Sequence, residues 1–176
     1  MITETVESIE EVTLTKPTLE DGKSMWKLVK ETSLDQNSTY KYIMMSEFFS
    51  ETCVIAKIRG KTVGFVTAFI PPEDPQVVFV WQVGVDPNER GKGIASKMLG
   101  ELIERDNCQN VRYLEATVTP SNEASQSLFK GFARYYDTNC EVSERFPDQL
   151  FPSDDHESEL NFRVGPLNHD RKSGNK

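Results

Sequence analysis

The chain has 176 residues, 37% of them hydrophobic, which is enough for one folded domain, and its 28 acidic against 20 basic side chains leave a formal net charge of -8. That sign excludes broad binding to nucleic acid, which needs a basic footprint, and suits a small cationic partner. Three widely spaced cysteines (Cys53, Cys108, Cys140) and two histidines far from them give no disulfide framework and no metal site. With no secretion leader and no apolar run long enough for a membrane, a cytoplasmic protein is expected.

Residues 1–13, rich in glutamate, read as an acidic arm before a first strand around "VTLTKP". From Thr18, an N-cap candidate followed by acids, Met25, Trp26 and Val29 fall at helical spacing, and "TYKYIMMSEFF" reads as a second helix after the turn-rich "LDQNS". Two β-branched runs around Arg59-Gly60-Lys61 predict a hairpin. "VVFVWQVGV" (77–85) is too continuously apolar for an edge strand and is expected at the centre of a sheet. Ile94, Met98, Leu102 and Ile103 share a helical face. "VRYLEATVTP" is a strand, and "SNEASQSLFKGF" a helix capped by Ser121 or Asn122. Two last strands, in "ARYYDTNCEVSERF" and "ELNFRVGPL", flank the proline- and acid-rich loop "PDQLFPSDDHES", of a length that often carries function. Residues 168–176 read as a frayed tail, leaving 14–167 as one domain. The order of strands and helices predicts a mixed α/β sheet.

The junction "VDPNERGKGIASKML" (85–99) sets two glycines and an arginine at the opening of a helix. It is not a phosphate-binding P-loop, because Lys92 is followed by Gly93 and the earlier glycine is missing. It also lacks the third glycine of a dinucleotide fingerprint. What remains is a helix start whose unpaired N–H groups, freed by glycines for close approach, suit a pyrophosphate. Arg90 and Lys92 would add positive charge beside it.

The pattern Arg90-x-x-Gly93-x-Ala95 after a central strand resembles that of the GNAT superfamily of acyl-CoA N-acyltransferases, and the order of elements is similar over nearly the whole chain. The resemblance implies a GNAT fold: a central mixed and mostly antiparallel sheet with splayed central strands, flanked by helices. It implies acetyl-CoA as co-substrate, with no metal. The phosphates would lie on Arg90, Gly91, Lys92, Gly93, Ile94 and Ala95, the pantetheine arm would pair with the backbone of Val83 and Val85, and Asn122 would cap its helix or bond the pantetheine. Further stretches, among them "TKPTLEDGKSMWKLV", "SLDQNSTYKY", "ATVTPSNEASQSLFKGFAR" and "FPSDDHESELNFRVGPL", are similar to the L-2,4-diaminobutyrate acetyltransferases of ectoine biosynthesis. Those enzymes acetylate the γ-amine of diaminobutyrate and work as homodimers, and the same is expected here.

Such a substrate needs acceptors for two ammonium groups and a donor for one carboxylate. Asp35, Tyr40, Trp81, Glu115, Thr117, His156 and Glu159 are the substrate-binding candidates, being polar or aromatic and carried by the loops and strands that form a GNAT cleft. Amine attack requires a neutral nitrogen, so a base is required. Glu115 is the first candidate, on a strand bordering the cleft and on one face with Tyr113 and Thr117; His156 is the second. Many GNAT enzymes place a tyrosine seven residues after the helix-cap asparagine to protonate the leaving thiolate, but here that position is Phe129, which has no proton to give. No cysteine lies in a cleft motif, which favours direct transfer in a ternary complex. The alternatives are a GNAT enzyme for another small diamine or amino acid, and an acyl-CoA-binding module without catalysis.

Overall fold

The computed structural model describes residues 11–152 and 156–169. In chain order the elements are β1 (Thr13–Thr15), α1 (Asp21–Lys30), α2 (Thr39–Phe48), β2 (Val54–Ile58), β3 (Lys61–Phe69), β4 (Val77–Val85), α3 (Ile94–Ile103), β5 (Tyr113–Val118), α4 (Glu123–Tyr135), β6 (Asn139–Phe146) and β7 (Glu159–Gly165). They form a seven-stranded sheet in the order β1-β2-β3-β4-β5-β7-β6, with β4 in the middle as its apolar run predicts. Only the β4–β5 pair is parallel. The hairpin between β2 and β3 turns on Arg59 and Gly60, both at positive φ, which matches the right-handed twist of the strands they join.

One face of the sheet is covered by α3 and α4, whose Met98, Leu102, Phe129 and Phe132 pack on Val66, Val80, Leu114 and Phe162. On the other face α1 and α2 enclose a smaller cluster of Met25, Leu28, Val29, Tyr42, Ile55 and Phe65. Asp21 anchors that layer: its carboxylate accepts from the N–H and hydroxyl of Thr18 and pairs with Lys57 of β2 at 2.7 Å. The Thr18 hydroxyl thus donates to the first turn of α1 and does not accept from it, while the Thr18 carbonyl accepts from the Asp21 N–H.

One irregularity in β4 positions the site. Thr67 pairs with Gln82 but the next residue, Ala68, pairs with Val80, so Trp81 is an extra residue in β4, a β-bulge. Before the bulge Val78 and Val80 join the α3/α4 core; after it the packing residues are Val83 and Val85. Gln82 and Gly84 turn to the opposite face, where Gln82 meets Tyr42 and a Cβ on Gly84 would collide with the Phe65 ring. The β4–β5 register ends at Val80 with Ala116, immediately before Trp81. The bulge and the parting of the two central strands therefore coincide.

The chain limits differ slightly from the sequence reading. Thr13 belongs to the sheet, paired with Lys57, and His169 is tied to the fold by a contact of 2.6 Å from its Nε2 to the Val111 carbonyl oxygen. The rest of the expected arm and tail, residues 1–10 and 170–176, lie outside the described residues, as do Ser153, Asp154 and Asp155 of the late loop.

Candidate active site

After β4, buried Asp86 accepts from the Asn88 N–H at 2.9 Å and from the Lys61 ammonium at 3.0 Å, fixing the short turn Pro87–Glu89. The chain then passes through Gly91 and Gly93, both left-handed, with φ of 78° and 76°. Gly93 caps α3 without a side chain, so the first N–H groups of that helix open toward a cleft of about 400 Å³. Val83, Val85, Arg90, Gly91, Gly93, Ile94 and Ala95 form one wall of it, and Asn122, Ser125 and Leu128 of α4 another. Lys92 is not a wall residue; its ammonium pairs with Glu89 at 2.7 Å. The N–H and C=O groups of β4 beyond Val80 have no register with β5, which leaves an extended edge for a ligand's amides.

A second cleft, about 390 Å³, continues from the first on the other side of the bulge. Asp35, Trp81, Thr117, His156 and Glu159 line it, together with Gln82 and Glu157. Ser33, Leu34 and Asn122 border both clefts. Asn122 accepts from the Ser125 N–H at 3.1 Å through its side-chain oxygen, so it caps α4 while standing at the junction.

His156 is held in a defined tautomer. Its ring stacks on Phe151, centroids 3.6 Å apart, and its Nδ1 lies 2.6 Å from the carbonyl oxygen of Glu157. A carbonyl only accepts, so Nδ1 is the donor in this contact, and in the neutral ring Nε2 is the nitrogen with the lone pair. The Glu157 carboxylate in turn accepts from the N–H and hydroxyl of Ser121, linking the late loop to the residue before the α4 cap.

Residues 22–133 match the acetyltransferase (GNAT) family. The chain belongs to the GNAT acetyltransferase family. It is 65% identical over 156 residues to the L-2,4-diaminobutyric acid acetyltransferase of Halalkalibacterium halodurans, covering 89% of this chain and 82% of that protein. Its identity to the enzyme of that name from Marinococcus halophilus is 62% over 160 residues, 91% and 93% of the two chains. Among solved structures it is similar to diaminobutyrate acetyltransferase EctA from Paenibacillus lautus in complex with its substrate L-2,4-diaminobutyric acid and coenzyme A, at 41% identity and a TM-score of 0.86, over 89% of this chain and 96% of that one.

Three positions do not fit the expected GNAT site. Glu115 is buried and lines neither cleft; Arg163 of β7 bonds one carboxylate oxygen and Arg145, the bulge residue of β6, the other at 3.0 Å. It sits where β4 and β5 are still paired, opposite Phe79, below the point where the strands part. Both oxygens are committed to guanidinium groups, so the geometry does not favour Glu115 as the base. Tyr40 is 68% exposed and borders neither cleft, because α2 turns Tyr42 inward instead. Phe129 is buried and packs on Phe162 in the core, and it lines neither cleft. Tyr135 is exposed and Tyr136 packs on Phe132.

The cysteines stand outside the chemistry. Burial pushes the Cys53 and Cys108 thiols up to about 11, and no cysteine lines either cleft. Among the described residues no cluster of three or more His, Cys, Asp or Glu side chains could hold a metal, and no helix is long and apolar enough to cross a membrane.

Sequence reasoning missed Gln82, Lys41, Phe151 and Glu157. Gln82 had a signal, as the one polar side chain in "VVFVWQVGV". Lys41 and Glu157 depend on contacts with segments 41 and 36 residues away, and Phe151 on a ring contact within its own loop.

Proposed function

We propose that this protein transfers the acetyl group of acetyl-CoA to the γ-amino group of L-2,4-diaminobutyrate, giving N4-acetyl-L-2,4-diaminobutyrate for ectoine biosynthesis. The observation that carries this reading is the meeting of two clefts at the β4 bulge: on one side a helix start with open N–H groups, suited to phosphates, and on the other a cleft lined by Asp35 and Glu159, suited to ammonium groups. The similarity to the diaminobutyrate enzymes supplies the substrate.

The first turn of α3, with Arg90, holds the phosphates, and the free edge of β4 aligns the pantetheine, which brings the thioester to the junction beside Asn122. Asp35 and Glu159 neutralise the ammonium groups of the acceptor, with the Trp81 face beside them. His156 takes the proton from the γ-ammonium through Nε2. The freed nitrogen attacks the thioester carbonyl and the C–N bond forms while a backbone N–H of β4 stabilises the oxyanion; the nitrogen then gives up its second proton to solvent as the oxyanion collapses and the C–S bond breaks. The thiolate leaves and is reprotonated from solvent, a role no tyrosine of the cleft supplies. We also propose a homodimer; Val142 and Phe146 of the edge strand β6 and Leu150 in the turn after it are exposed apolar residues that a second copy would cover.

The activity is tested by thiol release from acetyl-CoA with diaminobutyrate, diaminopropionate, ornithine and lysine, followed by NMR of the product. Preference for diaminobutyrate with acetylation at N4 is expected. Preference for a longer homologue would move the assignment to another diamine, and acetyl-CoA binding without turnover would leave a binding module. Light scattering across a concentration series tests the dimer.

A further inference from the structure

The acceptor cleft as described accounts for the substrate's two positive charges but not for its negative one. Asp35, Glu157 and Glu159 stand in its walls, whereas an amino acid also brings a carboxylate, whose desolvation needs a cationic donor. The two arginines within the described strands, Arg145 and Arg163, are both engaged by Glu115.

Lys41 supplies what is missing. It lies in the first turn of α2, and its Nζ is 3.0 Å from Gln82 Oε1 and 3.2 Å from the centroid of the Trp81 ring, both wall residues. The acceptor that holds it is itself fixed: Gln82 Oε1 also accepts from the Tyr42 hydroxyl at 3.0 Å, and Gln82 Nε2 donates to the Asp35 carbonyl at 3.2 Å. An ammonium has three N–H donors, so the bond to Gln82 leaves it capacity for a further acceptor. Its setting is also electrostatically unusual for a structural lysine. The first turn of α2 contains no acid and Ser38 provides no side-chain cap, so a cation there adds to the positive end of the helix dipole instead of offsetting it. Burial lowers the pKa of Lys41 to about 8, against the opposing pull of Asp35, and an anion alongside would relieve that cost.

We propose that Lys41 binds the α-carboxylate of the acceptor and so selects a diamino acid over a plain diamine. This role rests on the proposed acetylation of diaminobutyrate. Held by its carboxylate at Lys41, the substrate would present its distal amine toward the acetyl group and leave the α-amine to the acids of the cleft.

The test compares L-2,4-diaminobutyrate with 1,3-diaminopropane, which differs only in lacking the carboxylate, for the wild type, Lys41→Met and Lys41→Arg. The wild type is expected to favour diaminobutyrate. Lys41→Met should cut the ratio of the two kcat/KM values by about tenfold or more, mainly through a higher KM for diaminobutyrate, while diaminopropane changes by less than about twofold and thermal unfolding is unaltered; Lys41→Arg should recover part of the ratio. An equal loss on both substrates would overturn the proposal in favour of a packing role. A lower KM for diaminobutyrate in Lys41→Met would also overturn it, showing that Lys41 occupies the seat of a substrate ammonium on Trp81. A wild type that acetylates neither compound would instead refute the activity itself, and this role with it.

Discussion

Glu115 and Arg145 are joined at 3.0 Å between a buried strand and the bulge of the edge strand β6, and Arg163 closes the clamp from the strand between them. The carboxylate ties three strands together on the face opposite the α3/α4 core, to which its neighbours Leu114 and Ala116 belong. Glu115→Gln is therefore expected to lower stability by about 1–3 kcal/mol, less than a fully buried pair because both arginines are partly exposed. Activity per folded molecule should stay within a few-fold of wild type. Thermal unfolding and steady-state kinetics on the same preparation check this; a collapse of kcat at unchanged melting temperature would return the role of base to Glu115.

His156→Gln should lower kcat by about 10²–10³-fold with little change in the KM for acetyl-CoA, as expected for loss of a positioned base. Phe151→Ala, which removes the stacked ring and leaves the imidazole, should cost less. Added imidazole restoring part of the rate to His156→Ala would identify proton transfer as what was lost, and a near-wild-type His156→Gln would pass the role to Asp35, Glu159 or solvent.

The fold was legible because each element carries its own local signal: the apolar run of β4, the Arg59-Gly60 hairpin, the glycines before α3 and the Asn122 cap. The loop that walls the first cleft was readable for the same reason, since residues 90–95 are contiguous and their geometry follows from two left-handed glycines. Glu115 was not readable. Strand parity put it correctly on one face with Thr117, but the arginines that engage it come from β6 and β7, whose pairing no local pattern reveals. The bulge at Trp81 was equally hidden, because it appears only as a slip in register against β3. Lys41 carries no local signal either, because Trp81 and Gln82 meet it from 40 and 41 residues further along the chain.

Gly93→Ala places a Cβ in open space, so its cost is conformational and not steric: a left-handed φ of 76° in an alanine is worth about 1–2 kcal/mol. Relaxation of that strain would turn the first N–H groups of α3 away from the phosphates. The expected result is a KM for acetyl-CoA raised several-fold and a KM for the amine nearly unchanged. Arg90→Glu should show the same selectivity more strongly, by placing a negative charge in the phosphate cleft. Equal effects on both substrates would argue against this loop as the phosphate site, and isothermal titration with coenzyme A alone would measure the loss without turnover.

Burial lowers the pKa of Lys41 to about 8, with the charge of Asp35 opposing the shift, so Lys41 is cationic below that value and neutral above it. Its attraction for a carboxylate is therefore present at pH 7 and fades as pH rises through about 8, even while more of the substrate amine becomes neutral and ready to attack. The two trends separate by substrate. The ratio of kcat/KM for diaminobutyrate over 1,3-diaminopropane should fall between about pH 7 and pH 9 in the wild type, and Lys41→Met should start low and show little further change. Lys41→Arg, whose guanidinium keeps its proton throughout, should hold a flat ratio across the same range. A wild-type ratio that stays constant while the Lys41→Met ratio is equally constant and equally high would mean that the carboxylate is read by some other group.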